Sequence, residues 1–376
     1  MYFLNGDRLY IKPKSGCVTR EEQLQNCLQQ IKKINSGKKI FKLNFFVDTA
    51  SNEDYQEFQQ YIRNEVAGFF SDPVILGFLA QPPLTCKIIV EAFFYETALW
   101  QAEFISEGTN AAIKFQREET EILIGTVQAN HQQGCRKNAG TAFADVDTIL
   151  TTAQFPVHSI VRQWNYLEDI LGVDGEKQHY QEFNNVRSDF YGNTFNGTGY
   201  PAGTGIGMNR GGVIIEFVAI KSNNAFTIPV DNPGQVAAHH YSKNVLVGND
   251  CVLKTTPKFE RARFLRLFDK KQIFISGTAS IVGEQTVGVG NPAEQTEVTI
   301  LNIQRLYSEE ILAKVSKVKL NPKYGHARVY IKNRKDFPVI KKTFKTHFGN
   351  LPVVYIIADI CRESLLVEIE GKVILE

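Results

Sequence analysis

Three glutamates stand in the middle of apolar runs: Glu91 in IIVEAF, Glu216 in VIIEFVAI and Glu368 in LLVEIEG. Taking a carboxyl group out of water inside such a run is costly unless something compensates it, and burial favours its neutral form. A carboxylic acid kept neutral near pH 7 is what general acid catalysis requires. On a strand, Leu365, Val367 and Ile369 point one way while Leu366, Glu368 and Glu370 point the other. If that second face lines a water-poor cleft, Glu368 has a raised pKa and can act as a proton donor. If the face is solvated, Glu368 is an ordinary surface carboxylate.

Other chemistries lack their residues. No G-x-S-x-G nucleophile elbow occurs, which disfavours a serine hydrolase. Residues 192–212 hold eight glycines but neither G-x-G-x-x-G nor G-x-x-x-x-G-K-[ST], and they lead into a strand rather than a helix N-terminus. Those glycines permit turns or a close backbone approach, to another unit or to a ligand. Thr204 in PAGTGIG and Thr278 in FISGTASIVGE stand where hydroxyl and N–H groups either face a small anion or close a tight hairpin. The six cysteines show no C-x-x-C spacing, and of the seven histidines only His239 and His240 are adjacent, so disulfides, structural zinc and shared metal ligation are not expected.

The elements that must position these residues are most legible toward the C-terminus. Asp336, Phe337 and Pro338 read as a helix N-cap with Pro in the first turn, and Phe337, Ile340, Phe344 and Phe348 recur at helical spacing until Gly349. This helix lies between a β-rich run at 327–333 and two more at 352–361 and 365–375. The same order recurs near the start, in IFKLNFFVD, NEDYQEFQQYIRNEVAGFF, VILGFLAQPP and CKIIVEAFFYE, and in the middle, in QEFNNVRSDFY, YPAGTGIG and VIIEFVAI. Glu91, Glu216 and Glu368 fall at equivalent places. Two units carry a preceding strand and helix: EILIGTVQAN with a long helical stretch around 143–170, and QIFISGTASIVGE with a helix near 296–312. The chain therefore reads as one partial and two complete α+β units, with helices on one face of mixed sheets. The expected division is an N-terminal domain, residues 1–222, holding a partial unit (about 1–100) and a full unit (about 101–222), and a C-terminal domain, residues 223–376.

Composition narrows the partners. The 376 residues balance 42 basic against 40 acidic side chains, a net charge of +2, and the local basic runs Lys38-Lys39, Lys270-Lys271 and Lys341-Lys342 are two residues each. That gives no electrostatic footprint for nucleic acid. The start, MYFLNGDRLYIKPK, lacks the apolar stretch of an export signal, and no run approaches the roughly 18 apolar residues of a membrane span. A cytoplasmic protein with no membrane contact is expected.

The strand, helix, strand, strand unit ending in VEIEG resembles the YjgF/RidA (endoribonuclease L-PSP-like, chorismate-mutase-like) fold, whose small members are homotrimers with clefts between subunits. The longer pattern is similar to the chorismatases, which fuse such units in one chain: RQWNYL (162–167), YQEFNNVRSDFY (180–191), PAGTGIG (201–207), PKFERA (257–262), FISGTASIVGE (274–284) and ADICRESLLVEIEG (358–371). The resemblance implies tandem units in a pseudo-trimeric arrangement, a monomer imitating a trimer, in which only the cleft walled by Glu368 works. It implies an enzyme without metal or cofactor that cleaves the enolpyruvyl ether of chorismate, releasing pyruvate and either a hydroxybenzoate, 3-hydroxybenzoate being favoured, or a dihydroxycyclohexadiene carboxylate. Glu368 would be the general acid. Arg261, Arg187 and Arg162 would pair with the two substrate carboxylates, and Tyr241, Gln235, Thr278 and Thr204 would supply hydrogen bonds. Cys361, placed on the strand before Glu368, matches a position that varies with product choice and leans toward the hydroxybenzoate branch. Glu284 stands where the family pattern has a His. A non-catalytic RidA-like protein binding a small metabolite is the alternative. Imine deamination is weaker, since the Arg of the small deaminases has no counterpart in LPVVYI or PAGTGIG.

Overall fold

The structure, a computed structural model, describes residues 8–34, 37–130, 134–246 and 254–376. Residues 1–7, which entered the reading of the N-terminus, and Cys251 lie outside the described residues. The first sheet is built from β1 (Arg8–Ile11), β2 (Lys38–Val47), β3 (Ile75–Leu79) and β4 (Ile88–Glu96), with helices Arg20–Lys32 and Asn52–Phe69. The second takes β5 (Gln101–Glu107), β6 (Asn110–Arg117), β7 (Thr120–Ala129), β8 (Ile160–Glu168), β11 (Ala202–Met208) and β12 (Val213–Lys221), with helices Cys135–Thr152 and His179–Tyr191 and a short hairpin, β9 (Val173–Asp174) and β10 (Lys177–Gln178). The third takes β13 (Phe226–Val230), β14 (Ala262–Leu267), β15 (Lys270–Ala279), β18 (Pro322–Ile331), β19 (Val353–Ile357) and β20 (Val367–Leu375). Its helices are Pro292–Arg305, Glu309–Val315 and Phe337–Phe348, and its hairpin is β16 (Ile281–Val282) with β17 (Gln285–Thr286).

The sheets repeat one order. They run β3-β2-β4-β1, β11-β8-β12-β7-β6-β5 and β19-β18-β20-β15-β14-β13, so the first is a truncated version of the other two. In each, a parallel pair joined through a helix (β2 with β3, β8 with β11, β18 with β19) is flanked by an antiparallel strand (β4, β12, β20).

Alternation along the strands sorts the two faces. In the third sheet, Val329, Val367 and Ile369 join Ile300, Ile303, Ile340 and Phe344 of the helices in one buried core. The opposite face pairs Tyr330 with Glu368, Arg328 with Glu370 and His326 with Lys372, and turns toward the other sheets. Main-chain bonds stitch the units where the parallel edge strands end: Ile357 N–H to Pro82 O (2.9 Å), Gly207 N–H to Asp359 O (2.8 Å) and Asn209 N–H to Ala80 O (2.8 Å). A Cβ on Gly207 would stand 2.8 Å from the Asp359 carbonyl, so part of the glycine-rich run serves a close approach between units.

Two local expectations need correction. No helix spans 143–170: the helix ends at Thr152, and residues 160–168 form β8, central in its sheet. The Phe155–Pro156 step is incompatible with continued helix, and IVRQWNYL carries the branched and aromatic residues that suit a strand. Asp336 does not cap the helix Phe337–Phe348. It closes a 3-10 turn in helical conformation, and its carboxylate accepts from Asn333 Nδ2 at 3.1 Å.

Candidate active site

Backbone register makes the three glutamates equivalent. Glu91 pairs with Asn44, Glu216 with Trp164 and Glu368 with Tyr330, and each partner stands two residues beyond a buried base: Lys42, Arg162 and Arg328. These bases reach across to the next unit. Lys42 Nζ lies 3.0 Å from Glu216, and Arg328 Nη2 lies 2.5 Å from Glu91. Arg162 completes the cycle, but it pairs with Glu370, one alternation beyond Glu368.

The environments of the three acids therefore diverge. Burial pushes Glu91 up, but Arg328 and Arg8 outweigh it and hold the carboxyl below its ordinary range. Glu216 is bound by Lys42 and accepts from Asn44 Nδ2 at 3.3 Å. Glu370 accepts from Arg162, from Thr204 Oγ1 (2.6 Å) and from Tyr330 OH (3.1 Å), with Arg328 at 3.2 Å. Glu368 is 4% exposed and makes no hydrogen bond or ion pair among the described residues. Burial first and the charge of Glu370 second push its pKa up to about 8, against the opposing pull of Arg162 and Arg261. At that value the carboxyl is mostly protonated at pH 7.

The space for that carboxyl is made by Gly277 on β15. A Cβ there would stand 2.9 Å from Glu368 Cδ and closer still to Oε1. The Gly277 N–H donates to Thr204 Oγ1 at 3.0 Å. Thr204 also accepts from Arg162 at 2.6 Å and donates to Glu370, which uses the whole capacity of one hydroxyl. Beyond Gly277 opens a cleft, partly open to solvent, walled by Tyr180, Asn184, Tyr241, Phe259, Arg261, Cys361 and Arg362. One side comes from the helix His179–Tyr191 of the second unit and the other from β15 and the loops of the third.

Cationic groups without acid partners surround this cleft. Arg261 is 5% exposed and donates to Tyr241 OH (2.5 Å) and Val236 O (2.8 Å), while its buried Nε has no partner. Arg187 contacts Asn184 at 2.5 Å, and its Nε is likewise unpartnered. Among the described residues, no carboxylate pairs with either guanidinium. Unmet buried donors of this kind suit a planar anion.

The sequence-derived candidates separate into two groups. Arg261, Tyr241 and Cys361 line the cleft, Glu368 lies over its Gly277 wall, and Arg187 stands behind its Asn184 wall. Arg162 and Thr204 are instead committed to Glu370 between the units. Thr278 pairs with Ile369, so its side chain lies on the helix-facing side and donates to Ser276 O at 2.9 Å. Gln235 lies outside the cleft lining, its Nε2 donating to Ile281 O at 3.1 Å. Cys361 sits in the connection after β19 rather than on the strand, and burial, then Glu368, push its thiol up to about 12.

Sequence reasoning missed Arg362, Tyr180 and Gly277. Arg362 lies 5.2 Å from the centroid of Tyr241, whose ring also meets Arg261 at 5.4 Å. It adjoins Cys361 in the quoted ADICRES segment, which was the available signal. Glu284 accepts from Ser242 N–H (2.8 Å) and Oγ (2.6 Å), and so anchors the loop that carries Tyr241.

A family model described as Chorismatase FkbO/Hyg5-like, N-terminal, matches residues 98–219. A 3-hydroxybenzoate synthase of Streptomyces hygroscopicus is 30% identical over 250 residues, 63% of this chain and 70% of the relative. A chorismatase of the same organism is 28% identical over 75% of this chain and 80% of its own length. A crystal structure of a chorismatase superposes with a TM-score of 0.72 at 22% identity, covering 97% of this chain and 98% of that one. The fold is thus shared over the full length.

Proposed function

Since the chain belongs to the chorismatase family, we propose that it cleaves the enolpyruvyl ether of chorismate with Glu368 as general acid and Arg261, Arg362 and Arg187 as the receptors of the two carboxylates. The observation that carries this reading is the divergence of the three equivalent glutamates: two are bound by bases, and the third, beside a cation-lined cleft, is held neutral near pH 7.

Cleavage begins with transfer of the Glu368 proton to the terminal methylene carbon, leaving an oxocarbenium ion. An ionised acid at this position would repel a dianionic substrate and have no proton to give; burial prevents both. After transfer, the new carboxylate is stabilised by Arg162 and Arg261, the two cations that already act on it. In the diol branch water adds to the oxocarbenium carbon, gives up a proton, and the hemiketal collapses to pyruvate and the diol. In the hydroxybenzoate branch the ring C–O bond breaks, pyruvate leaves, and the ring cation loses a proton on becoming aromatic. The diol branch adds the elements of water, whereas a hydroxybenzoate and pyruvate together are isomeric with chorismate.

Tyr241, held by Arg261 and by the Glu284-anchored loop, supplies a hydroxyl at the cleft wall. Cys361 presents a small, neutral thiol to the same space, which supports 3-hydroxybenzoate as the second product. The cleft is assembled within one chain, which supports a monomer, and the free thiols of Cys17, Cys27, Cys86, Cys135 and Cys361 suit a reducing cytoplasm. Incubation with chorismate, with pyruvate followed by a coupled dehydrogenase, tests the reading: pyruvate release is expected, and its absence from folded protein overturns it.

A further inference from the structure

We infer that Glu370 is a positioning residue that holds the guanidinium of Arg162 away from Glu368 and thereby keeps the catalytic acid unpaired. Strand register sets the pairing. In the first and second units the acid at this place is taken by a base of a neighbouring unit, Arg328 on Glu91 and Lys42 on Glu216. Arg162 is the equivalent base facing the third unit, and by the same pattern its partner would be Glu368. The third unit differs in one respect: two residues on, and on the same face, it carries a second acid. The corresponding positions are Phe93 in β4 and Val218 in β12.

Geometry gives the second acid the advantage. Arg162 and Thr204 converge on Glu370 Oε2, while Tyr330 and Arg328 hold Oε1. Four groups thus fix one carboxylate, and the E-x-E spacing leaves the other free. The charged and titratable groups facing Glu368 are Glu370 on its own strand, Tyr330 on β18, Arg162 on β8, Tyr180 on the helix His179–Tyr191, and Arg261 and Cys361 from the loops. Of these only Arg162 and Arg261 are cationic, and Arg261 is held by Tyr241 and Val236. Losing Glu370 leaves Arg162 without an acid partner, whereas Arg328 keeps Glu91.

The inference rests on Glu368 being the general acid, but its test does not use chorismate. The Glu368 carboxyl is titrated by isotope-edited infrared spectroscopy, its band assigned by its loss in E368Q. In E370Q the titration is expected to move down by at least one pH unit, as Arg162 turns to the remaining carboxylate. In the double variant R162M/E370Q it returns to within half a unit of the parent. Because the charge of Glu370 itself raises the Glu368 pKa, the turning of Arg162 is read from the cycle: R162M shifts the titration up further in the E370Q background than in the parent, and equal shifts in the two backgrounds overturn the inference. E370D keeps the charge but withdraws it by one methylene, and a downward shift is expected there too; it carries the test should E370Q not fold. An unchanged Glu368 titration in the folded Glu370 variants, or no return in the double variant, overturns the inference. Absence of pyruvate release from the parent would end the functional reading and leave this result standing.

Discussion

Gly277 and Glu368 share one space: the carboxyl of Glu368 lies over the bare Cα of Gly277, where a methyl group would stand 2.9 Å from Cδ. The placement of the proposed general acid therefore depends on the absence of a side chain on the neighbouring strand. Gly277→Ala sets a new methyl against the end of a flexible side chain. The fold is expected to survive, with a stability loss of about 1 kcal/mol, at the low end for overpacking. Displacing the acid by about 1 Å is expected to cost roughly 100-fold in kcat. Thermal melts and steady-state kinetics on the same preparation separate the two, and wild-type kcat would contradict the placement.

The raised pKa of Glu368 sets a pH dependence with a definite sign. The acid is protonated below about 8, so kcat/KM is expected to hold through neutrality and fall above pH 8 as the proton is lost. Stability runs the same way. The folded pKa lies above the ordinary value of 4.5, so the contribution is complete below 4.5 and is lost as pH rises toward 8. Glu368→Gln removes the ionising group. Its Tm relative to wild type is expected to increase steadily between pH 4.5 and 8, and a constant difference across that range would contradict the shift.

The glutamates were legible because an acid in an apolar strand is conspicuous. Their fates were not. Arg162 and Glu370 are 208 residues apart, and nothing local to RQWNYL says that its arginine is consumed between units rather than offered to a ligand. Thr278 was misplaced for a different reason: in SGTAS the hydroxyl draws attention, whereas strand alternation gives the cleft to Gly277 and Ala279. PVVYIIADIC is β-rich throughout and reads as strand as far as Cys361, yet β19 ends at Ile357.

Arg261 supplies a buried donor with no acid partner among the described residues. Arg261→Met is expected to raise KM for chorismate by 10- to 100-fold, in line with roughly 1.5–3 kcal/mol for a charge-assisted hydrogen bond. Arg261→Lys recovers only part of this, because an ammonium cannot reproduce the planar fork. Substrate titrations of the two variants decide the matter, and an unchanged KM in Arg261→Met would place the carboxylates elsewhere.

Cys361 bears on the product. Cys361→Ala keeps the cleft open and removes the thiol, so the product ratio is expected to shift from 3-hydroxybenzoate toward the diol, with pyruvate release continuing. Chromatographic separation of the hydroxybenzoate from the cyclohexadiene diol measures the ratio directly. An identical ratio in the variant would detach branch choice from this residue.

The central claim, that Glu368 protonates the enol ether, is tested most directly by pyruvate release from Glu368→Gln, with chorismate binding measured calorimetrically on the same protein. The account predicts a loss of about 10²–10⁴ in turnover, the range for a general acid, with a dissociation constant within about tenfold of wild type, because a neutral amide replaces a neutral acid. Wild-type turnover in that variant would contradict it.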